Sequence, residues 1–263
     1  MLTLFQPTEK MRSYWIHGWA TDSAVFDRLI GSLPPGLKEK AVAVDLPGFG
    51  PVPSASGESD YFSCLAAQVT REKGEAEGAV LVGWSMGAMA ALETAAGLGT
   101  VISGLVLISA CAKFSRSEDN PHGMDRHIIR RMMHKLKEAP EKVLRDFHYR
   151  MFSRTTPHRL ESFQDELYPR YLNQHAGALE RGLRYLESTD LRRRLRSVHC
   201  PVLVIHAISD PIIDIRLARK LSESLSGSQL VVLEDGDHIP FWGAEKRFAS
   251  LIGDFLYGGI SPA

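Results

Sequence analysis

Apolar residues in this chain gather into short unbroken runs separated by amphipathic stretches, and that rhythm predicts the fold. Runs at residues 13–17, 40–45, 79–83, 105–110, 201–206 and 229–233 read as strands. Most show no polar alternation, as expected of parallel strands covered on both faces. Between them, residues 24–33, 59–72 and 215–225 suit helices. Strands alternating with helices imply an α/β fold built on a mostly parallel, doubly wound sheet.

The alternation breaks after Ala110. Residues 111–189 are helical in character, rich in arginine, histidine and methionine, and contain no convincing strand. Residues 191–198 then lead back through Pro201 into the next strand. The interruption falls where a strand should have returned, which predicts an inserted helical lid over the C-terminal edge of the sheet. The expected division is a core of residues 1–110 and 190–263 and a lid of residues 111–189. Helices packed on the flanks of the sheet would leave the same sequence pattern.

A chain of 263 residues, 44% hydrophobic and 24% charged, suits one soluble domain with such an insertion. A formal net charge of zero supplies no global field for nucleic acid or an anionic membrane, so neither is an expected partner. No apolar run approaches the roughly 18 residues of a membrane span. The first ten residues lack the basic and apolar regions of an export signal, so a cytoplasmic location is expected. Cys64, Cys111 and Cys200 are widely spaced and form no CxxC, which predicts neither a disulfide framework nor a zinc site. Glycine-rich phosphate loops are absent too. No cofactor or metal is expected.

Chemistry enters at Gly83-Trp84-Ser85-Met86-Gly87. An apolar strand runs into this turn and small helix formers follow it, which is the context a nucleophile elbow requires. Without that context the pattern is common in ordinary loops. A serine hydroxyl needs a base within hydrogen-bond reach, and in folds with this elbow the chain order is serine, acid, histidine. Asp210 lies in the turn after the strand at 201–206, and His238 in the loop after the last strand. Ser85, Asp210 and His238 are therefore the candidate catalytic residues. Asp214 falls where the next helix begins and reads as its N-cap. Asp235 and Asp237 read as turn residues, and His206 as a packed neighbour of the site. A tetrahedral oxyanion needs two preorganised N–H donors. Candidates are the amides of Met86, just after the serine, and of Trp19, where Gly18 lets the chain turn after a strand end. The turn Asp45-Leu46-Pro47-Gly48-Phe49-Gly50 reads as structural.

Taken together, His17-Gly18-Trp19, the 45–50 turn, the elbow, Asp210 and His238-Ile239-Pro240 resemble the α/β-hydrolase superfamily over essentially the whole chain. Phe114-Ser115, Pro121-His122-Gly123 and Gly182-Leu183-x-Tyr185-Leu186-x-x-x-Asp190-Leu191-Arg192 are similar to one branch of it, the pimeloyl-[acyl-carrier protein] methyl ester esterases of biotin synthesis. The pairing of His-Gly-Trp with Gly-Trp-Ser points the same way. Asn120 departs from that branch, which tends to carry tryptophan there. His206 and Asp214 depart from the superfamily's usual Gly-x-x-Asp-x-x-x-Pro.

The resemblance implies an α/β-hydrolase fold and a serine carboxylesterase that removes methanol from an acyl chain held on a carrier protein. It implies an apolar tunnel under the lid, for which Met124, Met132, Met133, Phe147 and Met151 are candidates. By the same resemblance, Trp19, Phe147, His148, Tyr149 and Arg150 would contact substrate. Acyl carrier proteins of this kind are acidic, so the docking face would be basic, corresponding to Lys142 and Arg145, with Arg154 nearby. A monomer is expected. Other readings remain open. They are a carboxylesterase or thioesterase for small free esters, a cofactor-free haloperoxidase or acyltransferase, and a non-catalytic receptor that keeps the fold.

Overall fold

In a computed structural model describing residues 11–51, 60–73, 78–152, 157–171 and 174–257, the strands are β1 (Arg12–Ile16), β2 (Ala41–Val44), β3 (Ala79–Trp84), β4 (Ile102–Ile108), β5 (Val202–Ala207) and β6 (Ser228–Leu233). They form one six-stranded sheet in the order β2-β1-β3-β4-β5-β6. Every neighbouring pair is parallel. The doubly wound α/β fold expected from the apolar runs is the one observed.

Successive residues of a strand feed opposite faces, which is why the runs show no polar alternation. Leu81, Leu105, Leu107, Val202 and Val204 enter one buried cluster, and Val80, Val82, Val106, Leu203 and Ile205 the other. The expected helix at 24–33 is broken. A 3-10 turn at Ser23–Phe26, capped by the Asp22 carboxylate, precedes α1 (Asp27–Gly31), and a proline opens α2 (Pro35–Lys38). Then come α3 (Tyr61–Lys73) and α4 (Met86–Leu98).

Between β4 and β5 lie α5 (Arg126–Leu136), α6 (Pro140–Met151), α7 (Pro157–Tyr171) and α8 (Ala176–Ser188). After β5 come α9 (Ile215–Glu223) and α10 (Glu245–Leu256). Helices α5 and α8 bury Ile129, Leu136, Leu179 and Leu183 in the first cluster. The end of α6 and helix α7 bury Met151, Phe163 and Leu167 in the second. The insertion thus contributes to both buried clusters. Its two ends are tied together. Lys113 forms an isolated bridge with Asp190, and Arg192 reaches both Asp190 and Asp119 at 2.6 Å. Among the described residues, no helix is long and apolar enough to cross a membrane, and no group of three or more His, Cys, Asp or Glu is arranged to hold a metal ion.

Candidate active site

Ser85 sits between β3 and α4 with φ 55° and ψ −119°, a conformation that non-glycine residues rarely adopt. Its amide donates to the Ile108 carbonyl at 3.0 Å, which ties the turn to β4. Glycine is required on either side. A methyl on Gly83 would lie 2.5 Å from the Ala88 Cα, and one on Gly87 would run into the carbonyl oxygens of Ile16 and His17. The turn therefore packs directly on the end of β1.

The structure brings Ser85, His238 and Asp210 together from the ends of β3, β6 and β5. His238 Nε2 is 2.8 Å from Ser85 Oγ, and Nδ1 is 2.9 and 3.0 Å from the Asp210 carboxylate oxygens. A carboxylate only accepts, so Nδ1 carries the proton and the Nε2 lone pair faces the serine hydroxyl. Asp210 also accepts from the amides of Ile212 (2.8 Å) and Ile213 (3.0 Å). Burial alone would raise its pKa, but the electrostatic pull and hydrogen bond of the His238 N–H hold the carboxyl below the usual carboxylate range. His206 stands behind it, wholly buried, with Nε2 donating to the Ile213 carbonyl at 2.9 Å. Burial keeps that imidazole neutral by pushing its pKa down. Asp214 caps α9 through the Arg216 amide, and Asp235 pairs with Arg247 on the surface, so neither competes with Asp210.

Met86 is the first residue of α4, so its amide has no partner within the helix and lies at the positive end of the helix dipole. Across from it, Gly18 is pressed against the elbow. A methyl there would lie 2.9 Å from the Trp84 ring and 3.2 Å from the Ser85 Cβ. His17 anchors this loop. Its Nε2 accepts from the Leu46 amide at 3.0 Å, so the proton is on Nδ1, which donates to the Gly18 carbonyl at 2.7 Å. The 45–50 turn is structural, as its residues suggest. Asp45 accepts from the Ser23 amide at 2.7 Å, and Gly48 and Gly50 take positive φ.

A cavity of about 500 Å³ opens beside Trp19, walled by Phe114, Met124, Ile129, Met132, Phe147 and Leu183. Charged groups stand among its lining residues, namely Arg131, Lys135, Asp146 and Arg150. A second cavity of about 250 Å³, lined by Arg116, His122, Asp210 and Asp214, shares Met124, Ile128 and Ile212 with the first. The two adjoin at the turn that carries Asp210.

Helix periodicity sorts the expected contacts. On α6, Val143, Asp146, Phe147 and Arg150 line the cavity, with Tyr149 at its exposed edge. His148 does not line it. It lies on the opposite side of α6, fully buried against Phe163, Tyr168 and Tyr171. Met151 shares that side and packs in the second core cluster, and Met133 packs on the first without reaching the cavity. Lys142 pairs with Asp146 at 3.8 Å, whereas the Arg145 guanidinium lies over the Tyr168 ring, 5.6 Å from its centre, away from the cavity. Arg154 falls outside the described residues. Sequence reasoning did not single out Arg131 and Lys135 as cavity residues, although Ile128, Arg131, Met132 and Lys135 form one i, i+3, i+4, i+7 stripe of α5.

The pattern of the Alpha/beta hydrolase family matches residues 14–251. A pimeloyl-[acyl-carrier protein] methyl ester esterase of Neisseria meningitidis (strain MC58) is 30% identical, the match covering 97% of this chain and 96% of the relative. The protein of that name from Stenotrophomonas maltophilia (strain R551-3) is 31% identical, with 94% and 93% covered. Among solved structures, an esterase from Exiguobacterium antarcticum superimposes with a TM-score of 0.83 at 22% identity, covering 94% of this chain and 91% of that one, a likeness of fold alone.

Proposed function

The chain belongs to the alpha/beta hydrolase family, and on that premise we propose that it is a serine carboxylesterase. Its proposed reaction is hydrolysis of the methyl ester of pimeloyl-[acyl-carrier protein], a step of biotin synthesis. The observation that carries the reading is the unbroken relay from Ser85 Oγ to His238 (2.8 Å) and on to Asp210 (2.9 Å). Relatives of almost equal length bearing that esterase's name support the choice of substrate.

In this mechanism His238 takes the Ser85 proton as the oxygen attacks the methyl ester carbonyl, and Asp210 stabilises the imidazolium that forms. The amides of Trp19 and Met86 receive the developing oxyanion. His238 then gives its proton to the leaving methoxide, and methanol departs. A water attacks the acyl-enzyme by the reverse sequence, leaving a free carboxylate on an acyl chain still attached to its carrier.

Residues 111–189 serve as the lid, and the 500 Å³ cavity takes the apolar middle of the chain, with Trp19, Phe147, Tyr149 and Arg150 as contacts. The acidic carrier docks on the basic outer face of the lid, where Lys142 and Arg145 stand with Arg131, Lys135 and Arg150 nearer the cavity. A cytoplasmic monomer without cofactor fits this reading.

The test is methanol release from methyl-pimeloyl carrier protein against short free methyl esters, with wild type and Ser85→Ala. Strong preference for the carrier-bound ester and loss of activity in Ser85→Ala are expected. Equal preference for free esters would replace the carrier reading with a general carboxylesterase. Activity retained in Ser85→Ala would overturn the mechanism.

A further inference from the structure

The loop that carries the Trp19 amide is held to the insertion at four successive residues. Trp19 Nε1 donates to the Leu179 carbonyl of α8 at 2.8 Å. The Ala20 carbonyl accepts from His148 Nε2 of α6 at 2.9 Å. Gln174, in the link between α7 and α8, donates to the Thr21 carbonyl at 3.0 Å. Arg170 of α7 grips the buried Asp22 carboxylate through Nη2 at 3.0 Å and Nε at 3.2 Å.

Backbone geometry and packing give these bonds a consequence. Ala20 is a non-glycine residue held at φ 62°, so its peptide does not rest in this orientation by local preference. His148 meets that strained carbonyl from within a cage of Phe163, Tyr168 and Tyr171. Burial pushes its pKa down to about 4, so it acts as a neutral donor. Its Nδ1 has no partner among the described residues, which leaves the Ala20 bond as the imidazole's one polar commitment there. On the other side, Gly182 of α8 packs against the side chains of Trp19 and Met86, the two residues whose amides are the oxyanion candidates. A methyl on it would lie 2.5 Å from Trp19 Cδ1 and 3.2 Å from the Met86 sulfur.

We infer that His148, Gln174 and Arg170 are positioning residues that set the Trp19 amide through the 19–22 loop, so that the oxyanion site is complete only while the insertion is seated on the core. The inference rests on the esterase chemistry proposed above. It makes the insertion a part of the catalytic apparatus as well as a cover for the acyl chain. Lifting α6–α8 would release the loop, and Ala20 would relax from its positive φ.

The test uses p-nitrophenyl acetate, an ester too small to need the cavity, with His148→Leu, His148→Gln and Arg170→Gln. Removal of the donor in His148→Leu should lower kcat about tenfold or more with KM little changed, as for an interaction realised in the transition state. His148→Gln, which can still donate, should recover most of that loss. The Ki of a trifluoromethyl ketone that adds to Ser85 should rise in step with the fall in kcat. A role confined to stability would lower the melting temperature and leave kcat and Ki per folded molecule unchanged, which would overturn the inference. If His148→Leu does not fold, Arg170→Gln decides alone, because Arg170 is half exposed, and wild-type kcat in it would overturn the inference as well. Ser85→Ala in the same assays separates the two levels. Activity retained there would sink the esterase reading, whatever the other variants do.

Discussion

The indole of Trp84 donates a 2.7 Å hydrogen bond to the backbone carbonyl of His238. The residue before the candidate nucleophile thereby holds the loop that carries the candidate base, and its ring lies 5.7 Å from the imidazole. The elbow thus positions His238 as well as Ser85. Trp84→Phe keeps most of the apolar contact and removes the donor. The expected result is about a fivefold lower kcat, in line with a net hydrogen bond of about 1 kcal/mol expressed in positioning, together with a lower melting temperature. Ester kinetics beside a thermal melt would check it. An unchanged kcat would mean that the loop's other anchor, the 2.9 Å bond from the His238 amide to the Met151 carbonyl, is sufficient.

Asp210→Asn should be more damaging than its size suggests. Asp210 Oδ1 accepts from two amides, so the new side chain must keep its oxygen there and turn its NH2 towards His238. That forces the imidazole proton onto Nε2, where it can no longer accept from Ser85. A fall in kcat of about 10³ to 10⁴, with KM little affected, is expected from steady-state kinetics.

The core of the molecule was legible because parallel strands buried on both faces leave plain apolar runs. The placement of Ser85, Asp210 and His238 followed from strand ends and chain order. The insertion was legible only as helical. Whether His148 or Phe147 meets the cavity depends on the rotation of α6, and adjacent residues on a helix differ in direction by about 100°. Phe147 points into the cavity and His148 into the α7 aromatics, a distinction that a basic, aromatic stretch does not reveal. Gly182 stood out in the sequence without a reason, and the reason is its contact with Trp19. The five hydrogen bonds from the 19–22 loop to the insertion join residues more than a hundred positions apart, and no local pattern announces them.

Stability should fall in acid through the buried histidines. His17, His148 and His206 are all fully buried, and burial lowers each pKa, to about 4 for His148. Above about pH 6.5 both folded and unfolded chains carry these imidazoles neutral, and stability is complete. Below it the unfolded chain binds protons that the folded chain refuses, so stability drops until the folded pKa is reached. For His148 alone the loss between pH 6.5 and 4 is about 3 kcal/mol. Urea denaturation across that range should show it, and His148→Gln should flatten the curve. An equally steep curve in the variant would assign the acid loss elsewhere.

Charge reversal distinguishes two parts of the insertion's basic surface. Arg131 and Lys135 line the cavity, whereas Arg145 is committed to the Tyr168 ring and Lys142 to Asp146. If the carrier is read by the outer face, Lys142→Glu with Arg145→Glu should raise KM for the carrier-bound ester severalfold, with a strong salt dependence in the wild type. Turnover of p-nitrophenyl acetate should stay unchanged. The same pair of measurements on Arg131→Glu with Lys135→Glu shows whether the cavity edge carries the greater share.

Filling the cavity gives the sharpest test of what the insertion encloses. Met132 of α5 and Leu183 of α8 both line the 500 Å³ space, whereas Ser85, His238 and Asp210 do not. Met132→Trp puts a rigid ring where a flexible side chain now lines the wall, at a partly buried site that can yield without unfolding the core. If the acyl chain occupies this space, kcat/KM for the carrier-bound pimeloyl methyl ester should fall about tenfold or more, the scale expected when an apolar chain loses its pocket. Because the relay lies outside the cavity wall, hydrolysis of p-nitrophenyl acetate should remain at the wild-type rate. Equal losses on both esters would mean that the insertion has shifted as a body, and the Trp19 loop with it. No loss on either would mean that the acyl chain takes another path to Ser85.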